Sequence, residues 1–119
     1  MKFYTRQRGI WGENLALSYL IKQGYSLIAR NYQTRFGEID LIVKDDTYVV
    51  FVEVKVRKDM SFAYASEYVD YKKQKKIQTT AKLWLMSKKS NLQPRFDVIE
   101  IYTYGDIGEP EINHIENAF

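Results

Sequence analysis

The sequence contains no cysteine and only one histidine, His114. The lack of thiols excludes disulfide-stabilised scaffolds and thiolate metal sites. One imidazole cannot build a zinc site with several histidines, and a histidine base or catalytic triad would depend on that single residue. The acid–base and metal chemistry left to this chain therefore uses carboxylates, lysines and tyrosines, which suit hard cations bound through oxygen.

Long apolar runs are also missing from the sequence. No run approaches the roughly 20 residues of a membrane-spanning helix, and the first thirteen residues lack the apolar middle region of a signal peptide. We therefore expect no membrane association and a cytoplasmic location. The length of 119 residues predicts a single domain over residues 1–119.

The net charge of +3 hides an uneven distribution of charge along the chain. Residues 1–35 hold six bases and one acid, and residues 61–95 hold eight bases and two acids. Between them, residues 36–60 hold four bases and six acids, while residues 96–119 hold six acids and no lysine or arginine. Two basic blocks around an acidic centre predict a phosphate-attracting surface beside a cation site. Lysine-rich helices that are merely solvated would give the same pattern.

Hydrophobic periodicity predicts a helix, three strands, a second helix and a fourth strand. The helices are predicted at Thr5–Gln23 and Tyr68–Ser87, and the strands at Tyr25–Tyr32, Glu38–Val43, Tyr48–Arg57 and Phe96–Tyr104. The sequence also predicts a turn at Thr34–Gly37, a hairpin tip at Asp45 and Asp46, a loop at Lys58–Glu67 and a further short strand after Gly105. This order predicts an α/β fold with a mixed β-sheet flanked by helices.

The third strand brings two opposite charges together. Alternate residues of a strand share a face, so Glu53 and Lys55 follow the apolar Val49 and Phe51 on the same face. The strand is therefore expected to leave the core in its C-terminal half. Exposed strands commonly carry a glutamate and a lysine two residues apart. Such a pair by itself therefore lies more often on an ordinary surface than in a functional site.

Asp40 lies inside the second strand, between Ile39 and Leu41. Aspartate is disfavoured in strand interiors because it competes for local backbone hydrogen bonds and packs poorly. A hairpin closed at Asp45 and Asp46 pairs residues whose numbers sum to about 91–93. That register places Asp40 opposite residues 51–53.

Glu13 adds a third carboxylate from the first helix. It shares a helical face with Ile10, Ala16, Leu17 and Leu20, which is the face expected to meet the sheet. Glutamate is rarely buried unless it is paired. A glutamate near a helix start is also favoured by the helix dipole and can extend to water.

Carboxylates gathered in this way repel one another. Two unit charges about 5 Å apart cost roughly 3 kcal/mol at an effective dielectric near 20. Either their pKa values rise or a cation lies among them. Oxygen ligands beside a lysine suit Mg²⁺ or Mn²⁺, which activates water and stabilises charge on a phosphate. Lys55 would then orient the water or neutralise the developing charge.

The segments Gly37-Glu38-Ile39-Asp40 and Phe51-Val52-Glu53-Val54-Lys55 together resemble the motifs of the PD-(D/E)xK nuclease superfamily. More closely, the chain resembles the YraN-type family of small, largely uncharacterised bacterial proteins, which are similar to archaeal Holliday-junction resolvases. The resemblance spans about Gly9 to Ile101 and also rests on Gly12, Glu13, Ala16, Tyr19, Leu20, Gly24, Asn31, Lys73 and Arg95-Phe96-Asp97-Val98. The chain departs from it in having no proline before Asp40 and in having Ala63 where relatives tend to have glycine.

This resemblance implies a restriction-endonuclease-like core in the order α-β-β-β-α-β. It implies that Asp40 and Glu53 bind Mg²⁺ or Mn²⁺ together with the Val54 carbonyl, and that Lys55 assists catalysis. It further implies that Glu13 supports the metal or its water.

A basic surface beside these residues is expected to contact DNA, because duplex and junction binders need phosphate contacts. Its predicted members are Arg57, Lys58, Lys72, Lys73, Gln74 and Lys76, with Lys75 and Lys82 on the same helix. Lys73 and Gln74 follow the family's pattern, and Lys73 is expected to reach the active site. Three tyrosines near this run, Tyr64, Tyr68 and Tyr71, either stack on unpaired bases or are ordinary core and rim residues.

Two functions fit these observations. The first is a metal-dependent endonuclease acting on DNA, in particular on branched or single-stranded forms. The second is a non-cleaving nucleic-acid-binding module that works with a partner such as a DNA helicase or repair protein. Paired cuts at a junction favour a homodimer, in which Trp11 or Trp84 would lie either at the interface or in the core.

Overall fold

The computed structural model describes residues 2–57, 69–103 and 109–119. In chain order its elements are helix α1 (Lys2–Lys22), strands β1 (Ser26–Thr34), β2 (Gly37–Lys44) and β3 (Tyr48–Arg57), helix α2 (Tyr71–Lys88), and strands β4 (Gln93–Tyr102) and β5 (Glu111–Ile115). The five strands form one sheet in the order β1-β2-β3-β4-β5. The predicted α/β fold class and element order are confirmed. The predicted loop Lys58–Glu67 lies outside the described residues.

The sheet is mixed. The pairs β1–β2, β2–β3 and β4–β5 are antiparallel, whereas β3 and β4 are parallel. A parallel pair needs a crossover connection, which α2 supplies. The β2–β3 hairpin pairs Leu41 with Val52 and Val43 with Val50, which is the register expected from the sequence. The Asp45 carboxylate closes its tip by accepting hydrogen bonds from the Tyr48 and Thr47 N–H groups.

Helix α1 covers one face of the sheet. Its fully buried residues Ala16 and Leu20 pack in a cluster with Leu41, Val43, Val50, Val52, Ile99 and Ile101. One helical turn earlier, Gly12 lies directly against the side chain of Val56, so the missing Cβ lets helix and strand approach closely. The expectation that Ile10 faces the sheet is wrong, because Ile10 is exposed. It lies two residues, or about 200°, around the helix from Gly12.

Helix α2 covers the other face. Its residues Ile77, Ala81 and Trp84 pack with Ile39, Ile42, Val49, Phe51 and Val98. The Phe51 ring meets Trp84 edge to face at 5.8 Å and stacks on Phe96 at 5.4 Å between ring centroids. Trp84 is therefore a core residue and not an interface residue, whereas Trp11 is exposed.

The start of α2 is set by Asp70. Its side chain accepts a hydrogen bond from the Lys73 N–H at 2.8 Å, which satisfies one of the free donors of the first turn. The helix therefore begins at Tyr71, three residues after the predicted Tyr68. None of the helices in the described part of the chain is long and apolar enough to cross a membrane.

A buried ionic network ties β5 to the sheet on the α1 side. Asp97 is fully buried and accepts hydrogen bonds from Arg95 at 2.9 and 2.8 Å, from His114 at 2.7 Å and from the Asn117 N–H at 3.0 Å. Burial opposes its charge, but the hydrogen bonds from His114 and Arg95 lower the pKa of Asp97. The other imidazole nitrogen, Nδ1, lies 3.0 Å from the Tyr19 hydroxyl.

Candidate metal centre

Asp40 lies where β2 and β3 separate. The ladder between the two strands ends at the pair Leu41 and Val52. At the next step the Val54 N–H donates to the Asp40 carboxylate at 2.8 Å instead of to a main-chain carbonyl. The aspartate therefore replaces a backbone acceptor at the fork between the strands, which explains an otherwise unfavourable residue in a strand.

Asp40 and Glu53 line one small cavity beneath α2. The cavity has a volume of about 130 Å³ and is lined by Gly37, Glu38, Asp40, Glu53, Lys73, Lys76 and Ile77. Glu53 is only 5% exposed. The predicted approach of Asp40 to Glu53 is thus observed, and helix α2 supplies the basic side of the cavity.

Two lysines reach the same oxygen of Glu53. The Lys73 ammonium lies 2.6 Å from Glu53 Oε1, and the Lys55 ammonium lies 3.7 Å from it. Burial and the neighbouring Lys73 lower the pKa of Lys55. Burial also opposes charge on Lys73, but the hydrogen bond to Glu53 outweighs it and raises the pKa of Lys73. Lys73 therefore keeps its positive charge to higher pH than Lys55 does, and Lys55 loses its proton more easily.

The ionised form of Asp40 is unfavourable in this cavity. Burial, together with the nearby Glu53 carboxylate, raises the pKa of Asp40 from 3.8 to about 7, while the hydrogen bond from Val54 acts in the other direction. Near neutral pH this carboxyl is therefore partly protonated. A divalent cation at Asp40 would favour the ionised form and displace that proton.

Glu13 lies at the edge of this centre, next to Arg30 of β1. One of its carboxylate oxygens, Oε1, is buried without a hydrogen-bond partner, and the Arg30 guanidinium lies 3.7 Å away. Burial raises the pKa of Glu13, and its charge contributes to the raised pKa of Asp40. Among the described residues, no three Asp, Glu or His side chains lie close enough to hold a metal ion together. The Glu13 carboxylate is thus directed towards Arg30 on β1, and its expected support of the metal or its water stays a prediction.

The remaining donors fit Mg²⁺ or Mn²⁺. Mg²⁺ is usually bound through one or two carboxylates, with water and substrate phosphates completing its shell. Asp40 and Glu53 supply two carboxylates. In an antiparallel strand the N–H and C=O of one residue point to the same side, so the Val54 carbonyl is directed to the side on which its N–H meets Asp40. The only histidine, His114, is bound to Asp97 on the opposite face of the sheet.

Besides Lys73, the predicted DNA-contacting residues lie in different environments. Lys72 and Lys76 are exposed on α2, and Lys76 also lines the cavity. Gln74 instead donates from its side chain to the Val69 carbonyl at 3.0 Å and so supports the helix start. The Arg57 guanidinium forms a salt bridge with the Glu100 carboxylate at 3.2 Å, so this arginine stabilises the fold. Lys58, Tyr64 and Tyr68 of the predicted DNA-contacting stretch lie outside the described residues, as does Ala63.

One buried acid near the site was not identified from the sequence. Glu100 is fully buried and also accepts a hydrogen bond from the Asn113 side chain at 2.8 Å. Its neighbour across the parallel pair is Lys55, so both lie on the α2 face of the sheet. The sequence feature that could have identified Glu100 is its position between two isoleucines, Ile99 and Ile101, in an otherwise apolar strand.

Comparison with known proteins places the chain in one family of bacterial proteins. The family described as "Uncharacterised protein family UPF0102" matches residues 12–101. A UPF0102 protein of Clostridioides difficile is 42% identical over 116 residues, covering 97% of this chain and 98% of the relative. A UPF0102 protein of Caldicellulosiruptor bescii is 44% identical, covering 96% and 98%, and one of Aliivibrio fischeri is 43% identical, covering 95% and 91%.

Proposed function

This chain belongs to the UPF0102 (YraN) family, and we propose that it binds nucleic acid and hydrolyses DNA phosphodiester bonds with bound Mg²⁺ or Mn²⁺. The observation that carries the proposal is the meeting of Asp40 and Glu53 in one cavity bordered by lysines. A pair of acids beneath a basic helix suits a phosphate diester, because the acids hold a cation and the lysines hold the anion.

Each side chain then has a distinct role. Asp40, Glu53 and the Val54 carbonyl would hold the ion, which supplies an activated water and neutralises charge on the phosphate. Lys73 fixes the orientation of the Glu53 carboxylate through the 2.6 Å contact. Lys55, whose pKa is lowered by burial, lies beside the same carboxylate and is placed to orient water or to transfer a proton. Lys72 and Lys76 are exposed where flanking phosphates would lie.

The second candidate is a nucleic-acid-binding module that does not cut unaided. The contact between Lys73 and Glu53 favours it, because the lysine already neutralises that carboxylate without a metal. In that case DNA binding depends on the lysines of α2 and weakens steeply with salt, with or without Mg²⁺. A cytoplasmic location, a homodimer and a helicase or repair partner stay predictions of the sequence.

Cleavage assays separate the two functions. Purified protein is incubated with branched, duplex and single-stranded DNA in Mg²⁺, in Mn²⁺ and in a chelator. We expect metal-dependent cuts that Asp40→Asn and Glu53→Gln abolish, whereas Asp46→Asn, an exposed acid at the hairpin tip, cuts like the parent. Salt-dependent binding without cleavage on any substrate would establish the second candidate. The enzymatic proposal fails if the Asp40 and Glu53 variants cut as well as the parent.

A further inference from the structure

Phe36 is an exposed aromatic residue at the turn between β1 and β2. It is 42% exposed and belongs to neither of the two core clusters. The guanidinium of Arg35 lies over its ring, 4.8 Å from the centroid. Single exposed apolar residues are common on protein surfaces, but a phenylalanine paired with a cation next to the candidate metal centre offers a flat apolar face beside a positive charge.

The turn that carries Phe36 is fixed to helix α2. The Phe36 N–H donates to the Thr34 hydroxyl at 3.1 Å, and that hydroxyl lies 3.4 Å from the hydroxyl of the buried Thr80. Gly37 approaches α2 so closely that a Cβ would lie 3.1 Å from the Thr80 oxygen and 3.3 Å from the Lys76 carbonyl. The main chain that carries Phe36 is therefore held at a set position relative to the helix and its lysines.

The same turn borders the candidate metal centre. Gly37, the residue after Phe36, lines the cavity together with Asp40 and Glu53. At about 3.3 Å per residue along β2, the main chain at Phe36 is roughly 13 Å from that at Asp40. A single nucleic-acid strand spans that distance with a few nucleotides, so one strand can contact both places.

The charges around the turn favour a polyanion. Arg35 is beside the ring, and Lys76 is exposed on α2 where the turn meets it. Glu38 is the exposed acid at this edge of the cavity. Lys72 and Lys73 on the first turn of α2 add further positive charge. An aromatic ring next to basic side chains is the arrangement by which proteins hold unpaired bases and the adjoining phosphates.

We propose that Phe36, with Arg35, stacks on an unpaired base of a single strand whose backbone continues to the Asp40 and Glu53 cavity. The inference rests on the proposed function and assigns its substrate class. The substrate carries unpaired bases next to the phosphate at the site, as in single-stranded DNA or in the single-stranded part of a branched molecule. Bases inside an intact duplex are stacked on each other and do not reach the ring.

The test compares the parent with Phe36→Ala and Phe36→Trp. Affinity for a single-stranded oligonucleotide and for a blunt duplex is measured by fluorescence anisotropy in Ca²⁺, which replaces the Mg²⁺ or Mn²⁺ proposed to support cleavage. Stacking is followed by quenching of 2-aminopurine placed along the single strand. We expect Phe36→Ala to weaken single-strand binding about tenfold, to lose the quenching and to leave duplex binding unchanged. Phe36→Trp keeps both signals, and Met86→Ala, which removes an exposed side chain elsewhere on α2, binds like the parent.

Every other outcome overturns the inference. If Phe36→Ala binds the single strand as tightly as the parent, or weakens both DNA forms equally, the inference is overturned while the proposed function stands. If the variant changes the sedimentation of the protein alone and leaves single-strand affinity intact, the turn is a contact between copies of the chain, and the inference is again overturned. If the parent itself binds no nucleic acid, the proposed function fails and the inference fails with it.

Discussion

Asp40→Asn should make the folded protein more stable at alkaline pH. The substitution removes the charge of a buried carboxyl but keeps an oxygen that accepts the hydrogen bond from the Val54 N–H. Burial and the neighbouring Glu53 raise the pKa of Asp40 from 3.8 to about 7. Because the folded pKa is the higher one, the folded state holds the proton more tightly than the unfolded state does.

The sign and size of the effect follow from this difference. Stability contributed by the protonated Asp40 is complete below the unfolded pKa of 3.8 and is lost as the pH rises to about 7. At about 1.4 kcal/mol for each tenfold change in proton affinity, the total is about 4 kcal/mol as an upper figure. Roughly 2.5 kcal/mol of it falls between pH 5 and pH 8. The asparagine does not titrate, so the variant escapes that loss.

Urea denaturation of both proteins in a chelator, at pH 5 and at pH 8, measures the effect. The advantage of Asp40→Asn should grow by about 2 kcal/mol between the two pH values. Added Mg²⁺ should then stabilise the parent and not the variant, because a ligand stabilises the state that binds it. The reasoning is refuted if the variant is no more stable at pH 8, or if its advantage is the same at both pH values.

Asp45→Asn supplies a control of opposite sign. Hydrogen bonds from the Tyr48 and Thr47 N–H groups lower the pKa of Asp45. Its contribution to stability is therefore present above the unfolded pKa and is lost only in acid. The variant should be less stable than the parent by a similar amount at pH 5 and at pH 8.

Three further substitutions test the packing by thermal and urea denaturation. Asp97→Ala leaves the buried Arg95 without its carboxylate partner and should destabilise the fold by about 3–5 kcal/mol; a loss below 1 kcal/mol would show that the network is not needed. Gly37→Ala, whose Cβ would press on the Lys76 carbonyl, should cost about 1–3 kcal/mol. Gly9→Ala, which meets no atom within 4 Å in α1, should instead stabilise by about 0.5–1 kcal/mol, and the same sign for both glycines would contradict the explanation.

The strands were well predicted because the chemistry that defines them is local. The bounds of β3, Tyr48–Arg57, were predicted to the residue, since its β-branched and aromatic residues are uninterrupted. The register of the β2–β3 hairpin followed from the two aspartates at its tip. Together these two predictions bring Asp40 close to Glu53 without knowledge of any distant contact.

The side-chain partners were less predictable because they depend on packing. The direction of Glu13 towards Arg30 is set by where α1 crosses the sheet, and the spacing along the helix did not determine it. The engagement of Arg57 by Glu100 arises from the parallel pairing of β3 with β4, which unites residues more than forty positions apart in sequence. A charge pattern therefore located the basic helix but did not identify which cations the fold itself uses.

The order of the strands has a consequence for how the site assembles during folding. Asp40 and Glu53 lie on a hairpin of neighbouring strands, which closes a short loop, whereas Lys73 arrives on the crossover helix between the parallel strands β3 and β4. Short loops close at lower entropic cost and earlier than long ones. The two acids are thus expected to meet before Lys73 arrives, when the cation already beside Glu53 on the hairpin is Lys55, so their repulsion is only partly offset. Dissolved divalent cations should speed refolding at this step, with Lys73 docking last against Glu53.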